Sequence, residues 1–179
     1  MAMSPGAKSP TSPNDIGTER ATPADAARVR TIRLRALDDS PEAFSSTLAW
    51  EQGRPLQWWR QRLENQYAVT VLGIHRNHDA GIAVCLKLDD VPDSAGLFSF
   101  WVAPQSRGSG LADRLLSTAI AWATSQDFEY LVLNVGDHNH AAIRLYMRHG
   151  FTATGKVGQL PEPRQHITER ELRVRLRST

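Results

Sequence analysis

Val102-Ala103-Pro104-Gln105-Ser106-Arg107-Gly108-Ser109-Gly110-Leu111-Ala112 turns an apolar strand directly into a helix through two glycines. The preceding Leu97-Phe98-Ser99-Phe100-Trp101-Val102 is short, aromatic and β-branched, the composition of a strand. From Leu111 onward, Ala112, Leu115, Leu116, Ala119, Ile120 and Ala123 recur at three and four residues, which is one face of an amphipathic helix. The turn therefore sits at a helix N-terminus, where unpaired backbone N–H groups and the positive end of the helix dipole favour an anion. Glycine at 108 and 110 lets the backbone approach a ligand closely, and Arg107 adds a positive charge. Spacing alone admits two readings, a phosphate cradle and an ordinary glycine turn. A dinucleotide fingerprint is excluded because Asp113 stands where its third glycine belongs, and the GK[ST] ending of a P-loop is missing.

A second segment decides between them. Leu131-Val132-Leu133-Asn134-Val135 reads as a strand and is followed by Asn139-His140-Ala141-Ala142-Ile143-Arg144-Leu145-Tyr146 and then Gly150-Phe151. Taken with the glycine turn, this resembles the GNAT superfamily, the Gcn5-related N-acetyltransferases. The family's turn reads Q/R-x-x-G-x-G followed by a small residue, and Gln105, Gly108, Gly110 and Ala112 fill it. Its second motif, NxxAxxLYxxxGF, is complete from Asn139 to Phe151. The resemblance covers about residues 16 to 177, with its motifs in the middle third. Leu34 to Thr47 also looks like the opening of many bacterial members, most of them without a known substrate.

The resemblance implies an α/β fold in which a mixed central sheet, flanked by helices, has two parallel strands that splay apart and admit acetyl-coenzyme A. Splayed strands leave backbone groups unpaired, and a pantetheine arm can satisfy them. By carry-over, the backbone of Trp101 and Val102 meets the pantetheine and thioester. Gln105 and Ala112 frame the pyrophosphate turn, and Arg107, Gly108, Ser109, Gly110 and Leu111 supply its N–H groups. Asn139 and Tyr146 are seven residues apart, so they share a helix face with a rise of about 10 Å between them. Asn139 reads as a helix cap, a pantetheine contact, or both. Tyr146 reads as a core aromatic packed on Ala142 and Ile143 from spacing, and from the resemblance as the acid that protonates the departing thiolate.

The implied reaction is direct attack of a neutral amine on the acetyl thioester through a tetrahedral intermediate, without a covalent acyl-enzyme. The N–H near Val102 would polarise the carbonyl. The acceptor is a small-molecule amine or a protein N-terminus. Many members place a glutamate on one of the two central strands, but Leu97 to Val102 has no carboxylate, and Asn134 stands where some carry Glu. An amide orients water without taking its proton. A lysine-like amine of pKa ~10.4 costs ~4.6 kcal/mol to neutralise at pH 7, an α-amine near ~7.8 only ~1 kcal/mol, so base-free chemistry leans toward weakly basic acceptors. Asp137, His138, Glu51 and Asp90 are left as relays through water. The missing carboxylate also leaves open a non-catalytic acyl-coenzyme A-binding or sensing protein of the same fold.

The acceptor wall is expected from residues 39 to 60 and from the loop Gly155 to Ile167. Phe44, Trp50, Trp58 and Trp59 could face the acceptor there or pack the core. Composition adds bounds. The 179 residues suit one domain, over 16–179, and the Ser-, Pro- and Gly-rich residues 1–15 are expected to be disordered. Neither a signal peptide nor a membrane span is apparent, so a cytoplasmic location is expected. A net charge of +2 gives no nucleic-acid stripe, and Arg28, Arg30, Arg33 and Arg35 read as the solvated face of the first helix. The six histidines have no metal-motif context. The single cysteine, Cys85, lies in an apolar strand and reads as a buried small hydrophobe. A homodimer is left open.

Periodicity predicts an edge strand at Ile16 to Arg20, helices at Ala24 to Leu37 and Leu56 to Glu64, and strands at Tyr67 to His75 and Gly81 to Leu88 joined by a polar turn. After the glycine turn and its helix come the strand Tyr130 to Val135, the helix Asn139 to His149, and strands near Phe151 to Lys156 and Thr168 to Leu176. Leu172, Val174 and Leu176 alternate with Arg173, Arg175 and Arg177 in the last, a half-exposed pattern.

Overall fold

The computed structural model describes residues 15–176, so the tail expectation for residues 1–14 lies outside the described residues. Strands β1 (Ile16–Arg20), β2 (Ala68–His75), β3 (His78–Lys87), β4 (Ser94–Val102), β5 (Tyr130–Gly136), β6 (Thr152–Gln159) and β7 (Thr168–Arg175) form one mixed sheet. Its order is β1-β2-β3-β4-β5-β7-β6. All neighbours are antiparallel except β4 and β5. Helices α1 (Ala26–Asp39), α2 (Leu48–Gln52), α3 (Leu56–Leu63), α4 (Leu111–Ser125) and α5 (His140–Arg148) flank it.

Strand alternation sorts the core onto the two faces. Val69, Val71, Ala83 and Cys85 pack with Leu111, Leu115 and Leu116 of α4, while Leu72, Ile82 and Trp101 pack with Ile32 of α1 and Trp59 of α3. Close approach of α4 requires two glycines beneath it. A Cβ on Gly73 would lie 2.9 Å from Leu115 Cδ1, and one on Gly81 2.7 Å from the same atom. Cys85 is fully buried, and burial pushes its thiol up to about 12, which agrees with a structural rather than a nucleophilic residue.

Several boundaries move for physical reasons. A 3-10 turn at Pro23–Asp25 delays α1 to Ala26. The β2–β3 hairpin is tighter than the polar stretch suggests, because Arg76 and Asn77, at φ 51° and 65°, both take the left-handed geometry that a two-residue turn demands. Helix α2 has five residues, too few for an apolar period to show. The first helix also corrects its reading as a solvated face. Arg33 is buried, and its Nε and Nη2 donate to Glu51 of α2 at 2.8–3.2 Å. Arg28 bridges Glu19, Asp25 and Asp79.

Candidate functional site

The parallel pairing of β4 and β5 lasts three residues: Ser94, Ala95 and Gly96 stand opposite Tyr130, Leu131 and Val132. Beyond Gly96 and Val132 the strands part. A bulge in β4 helps, since Ile82 pairs with Trp101 but Val84 with Phe98, leaving Ser99 and Phe100 opposite Ala83 alone. Ser99 has a φ of 52°, the left-handed geometry that turns the chain there. Sequence reading missed this bulge, because no glycine marks it. The gap opens into a cleft of about 710 Å³.

Its walls bring together residues far apart in sequence. From β4 come Phe98, Ser99 and Phe100, from β5 Asn134 and Gly136, from α5 Ala142 and Tyr146, and from just before it Asn139. Asn139 caps α5, its Oδ1 accepting from the Ala142 N–H at 3.2 Å. The cap reading therefore holds for it, and it also lines the cleft. Tyr146 is buried with its ring between Phe100 and Phe151, at centroid distances of 5.8 and 5.6 Å. Ala142 and Ile143, the neighbours that helix spacing gives it, pack against the same core cluster. Burial raises its phenol above the ordinary value of 10, so it is protonated at neutral pH.

The opposite wall carries Glu42, Phe44, Ser45, Ser46, Trp50 and Trp58. Phe44 is buried under the Arg33 guanidinium at 4.5 Å, whereas Trp50 is exposed and stacked by Arg54 at 3.6 Å. Trp59 does not reach this wall and is a core residue, because α3 turns it toward Leu72 and Ile82. The β6–β7 loop contributes Pro161 and Glu162. Arg164 ties that loop to the facing one, donating to the carbonyls of Pro41, Phe44 (2.7 Å), Ser45 (3.1 Å) and Ser46 (3.4 Å). Arg164→Ala should lower stability by ~1–3 kcal/mol, the worth of charged hydrogen bonds partly replaced by water. Urea unfolding checks this; an unchanged midpoint would mean that the two loops hold together without the guanidinium.

The glycine turn lies at the start of α4. Gly108 and Gly110 have φ of 77° and 88°, and a Cβ on Gly108 would meet nothing within 4 Å. The N–H groups of Arg107 and Ser109 bond the carbonyls of Pro104 (3.2 Å) and Ser106 (3.4 Å), and that of Leu111 bonds Ser109 Oγ (3.3 Å). Among the described residues, the N–H groups of Gly108 and Gly110 have no such partner. The Arg107 side chain is turned back to Asp39 Oδ2 (2.6 Å) and the Val102 carbonyl (3.1 Å). Asp39 also accepts from the Trp101 indole at 2.9 Å, which fixes the end of β4. Gln105 is exposed and Leu111 buried.

A family profile described as the acetyltransferase (GNAT) family matches residues 30–151, which spans the turn, the splayed strands and Tyr146. The chain belongs to the GNAT acetyltransferase family. A Bacillus subtilis (strain 168) protein with the provisional name ribosomal protein bS18-alanine N-acetyltransferase is 30% identical over 132 residues, covering 72% of this chain and 83% of that one. N-acetyltransferase 8F1 of Rattus norvegicus is 32% identical over 83 residues, but this chain spans only 38% of its length. Among solved structures, a GNAT-family acetyltransferase of Streptococcus pneumoniae superposes with a TM-score of 0.74 at 24% identity, covering 90% of this chain and 99% of the other. The yncA protein of Salmonella typhimurium, provisionally an acetyltransferase and solved with acetyl-CoA, gives 0.74 at 22% identity, covering 92% and 96%.

Within this GNAT acetyltransferase, the relays proposed from sequence divide sharply. Glu51 lines the cleft but is held by Arg33. Asp137 is bound by Arg170 (2.6 Å) and Thr168 (2.9 Å), and these two bonds hold its carboxyl below the ordinary value of 3.8. Asp90 does not line the cleft, because it lies in the β3–β4 connection beside the closed end of the strand pair. His138 does line it, with its ring over Gly136. One residue that sequence reading did not name also faces the cleft, Glu169 of β7. Among the described residues no group of three or more His, Cys, Asp or Glu is placed to hold a metal, and no helix is long and apolar enough to cross a membrane.

Proposed function

We infer that this GNAT enzyme transfers an acetyl group from acetyl-CoA to a primary amine on a small molecule or a protein N-terminus. The parting of β4 and β5 after Gly96 and Val132 carries this reading, because it opens the backbone edge of each strand to a ligand at the point where the cleft begins. The residues fit the donor. Gly108 and Gly110 offer N–H groups at the head of α4, with open space in front of Gly108, which suits a pyrophosphate. Asn139 lines the cleft with Tyr146, whereas Trp101 and Val102, which the resemblance assigns to the pantetheine, are buried and do not line it. The donor supplies the activated thioester; the chain positions it, excludes water and delivers a proton to sulfur from Tyr146. Phe44 and Trp50 bound the acceptor side, and Asn134 orients water or the incoming nitrogen.

The name of the Bacillus relative favours a protein N-terminus among acceptors, and a cleft of about 710 Å³ leaves room for one. A single domain over 16–179 and a cytoplasmic site of action belong to the same reading. Acetyl-CoA at 100 times its Kd should stabilise the fold by ~2.7 kcal/mol, a rise in Tm of ~5–11 °C for a chain of this size. Free-thiol release with an amine and N-terminal peptide panel then tests transfer. A melting shift without turnover of any amine would mark an acyl-coenzyme A-binding protein; no shift at millimolar ligand would sink the cofactor site itself.

A further inference from the structure

We propose that Glu169 is the base that takes the acceptor's proton, replacing from β7 the carboxylate that is absent at Asn134 on β5. The inference rests on the acetyltransfer reading. Four carboxylates line the cleft: Glu42, Glu51, Glu162 and Glu169. Glu51 is consumed by Arg33. Glu42 is largely exposed, with only His138 near it at 3.9 Å, and Glu162 is an exposed residue of the β6–β7 loop. Glu169 is half-buried on a strand, and among the described residues no hydrogen bond or ion pair occupies its carboxylate.

Register places it beside the expected position. Asn134 stands opposite Glu171 and Gly136 opposite Glu169, so Asn134, Glu169 and Glu171 lie on one face of the sheet. Glu171 is engaged by Thr154 Oγ1 (2.8 Å) and by Lys156 (3.5 Å), which leaves Glu169 as the free carboxylate of that face. The His138 ring lies over Gly136 on that face, opposite Glu169. Burial also raises its carboxyl above the ordinary value of 4.5, toward the strength a base near neutrality needs. The titratable groups around it are Glu171 on its own strand, Asp137 and His138 at the end of β5, Lys156 on β6, Glu162, Arg164 and His166 in the β6–β7 loop, and Glu42 across the cleft.

The proton count closes. An ammonium acceptor loses two protons on becoming an amide N–H. One passes to the Glu169 carboxylate and then to solvent, freeing the nitrogen lone pair. The nitrogen–carbon bond forms and the carbon–sulfur bond breaks, with the sulfur taking the Tyr146 proton. The second nitrogen proton restores the phenol.

The test is the pH profile of kcat/KM in the full chain for two amines of different basicity. In the wild type, the acid limb should have one apparent pKa shared by both amines, because it belongs to the enzyme. Glu169→Gln should lower kcat/KM at neutral pH by ~10²-fold, the low end for a positioned base, and leave a limb that follows each amine's own pKa. Its acetyl-CoA melting shift should persist, which separates lost chemistry from lost fold. Glu169→Asp should keep the shared limb at a reduced rate, and it carries the test if the glutamine variant does not fold. Glu171→Gln should leave the limb in place. A wild-type limb that tracks the amine, a Glu169→Gln rate within about twofold of wild type, or loss of the limb on His138→Gln instead would overturn the assignment. Absence of wild-type turnover with any amine would instead remove the acetyltransfer reading beneath it.

Discussion

Gly108→Val should abolish the melting shift that acetyl-CoA gives the wild type. The residue has a φ of 77°, a region that a β-branched side chain enters only under strain. Relaxing that strain reorients the N–H groups of Gly108 and Gly110. If the turn keeps its shape, the valine methyls fill the space in front of it, which a Cβ on Gly108 would find open within 4 Å. On the proposed reading, either outcome takes both donors from the pyrophosphate. Hydrogen bonds to a charged group are worth ~1.5–3 kcal/mol each, so two lost bonds weaken binding by ~3–6 kcal/mol, or ~10²–10⁴-fold in Kd. The apo protein should survive, since Gly108 is exposed and left-handed strain costs only ~1–2 kcal/mol. Gly108→Ala should fall between. Calorimetric titration with acetyl-CoA checks both, and wild-type affinity in the valine variant would show that the turn holds no phosphate.

The turn was legible because everything that defines it is local. Two glycines, a strand of aromatics and a helical repeat within some twenty residues fix its geometry without reference to the rest of the chain. The face shared by Asn139 and Tyr146 was legible for the same reason, since helical spacing alone aligns them. Arg33 was not. Its helix position reads as solvated until Glu51, eighteen residues on and held in a five-residue helix, supplies the partner that makes burial of the charge tolerable. Glu169 was hidden by topology. Alternation along β7 reads its charged positions as exposed, and only the order β5-β7-β6 brings the start of that strand to the open end of the cleft. The β4 bulge left no mark because Ser99 takes the positive φ without a glycine.

Tyr146→Phe should leave fold and acetyl-CoA affinity intact while kcat falls by ~10²-fold or more, toward the lower end of what a positioned proton transfer contributes. The ring is what packs between Phe100 and Phe151, and phenylalanine keeps it. Among the described residues no group accepts from the hydroxyl, so its removal orphans no partner within the protein. The driving force for transfer looks adverse at first, because burial raises the Tyr146 phenol above 10 while a free thiol resembles cysteine at about 8.5. The same surroundings act on the sulfur, however. A thiolate released into the cleft is desolvated beside those rings, so its affinity for a proton rises with that of the phenol. Because the phenol titrates above its ordinary range, it stays protonated across about pH 6 to about pH 9, and the rate loss should be uniform there. That uniformity separates it from Glu169→Gln, whose effect is carried by the acid limb. Single-turnover kinetics, in which chemistry limits the rate, make the comparison; an unchanged rate would reduce Tyr146 to an aromatic of the core.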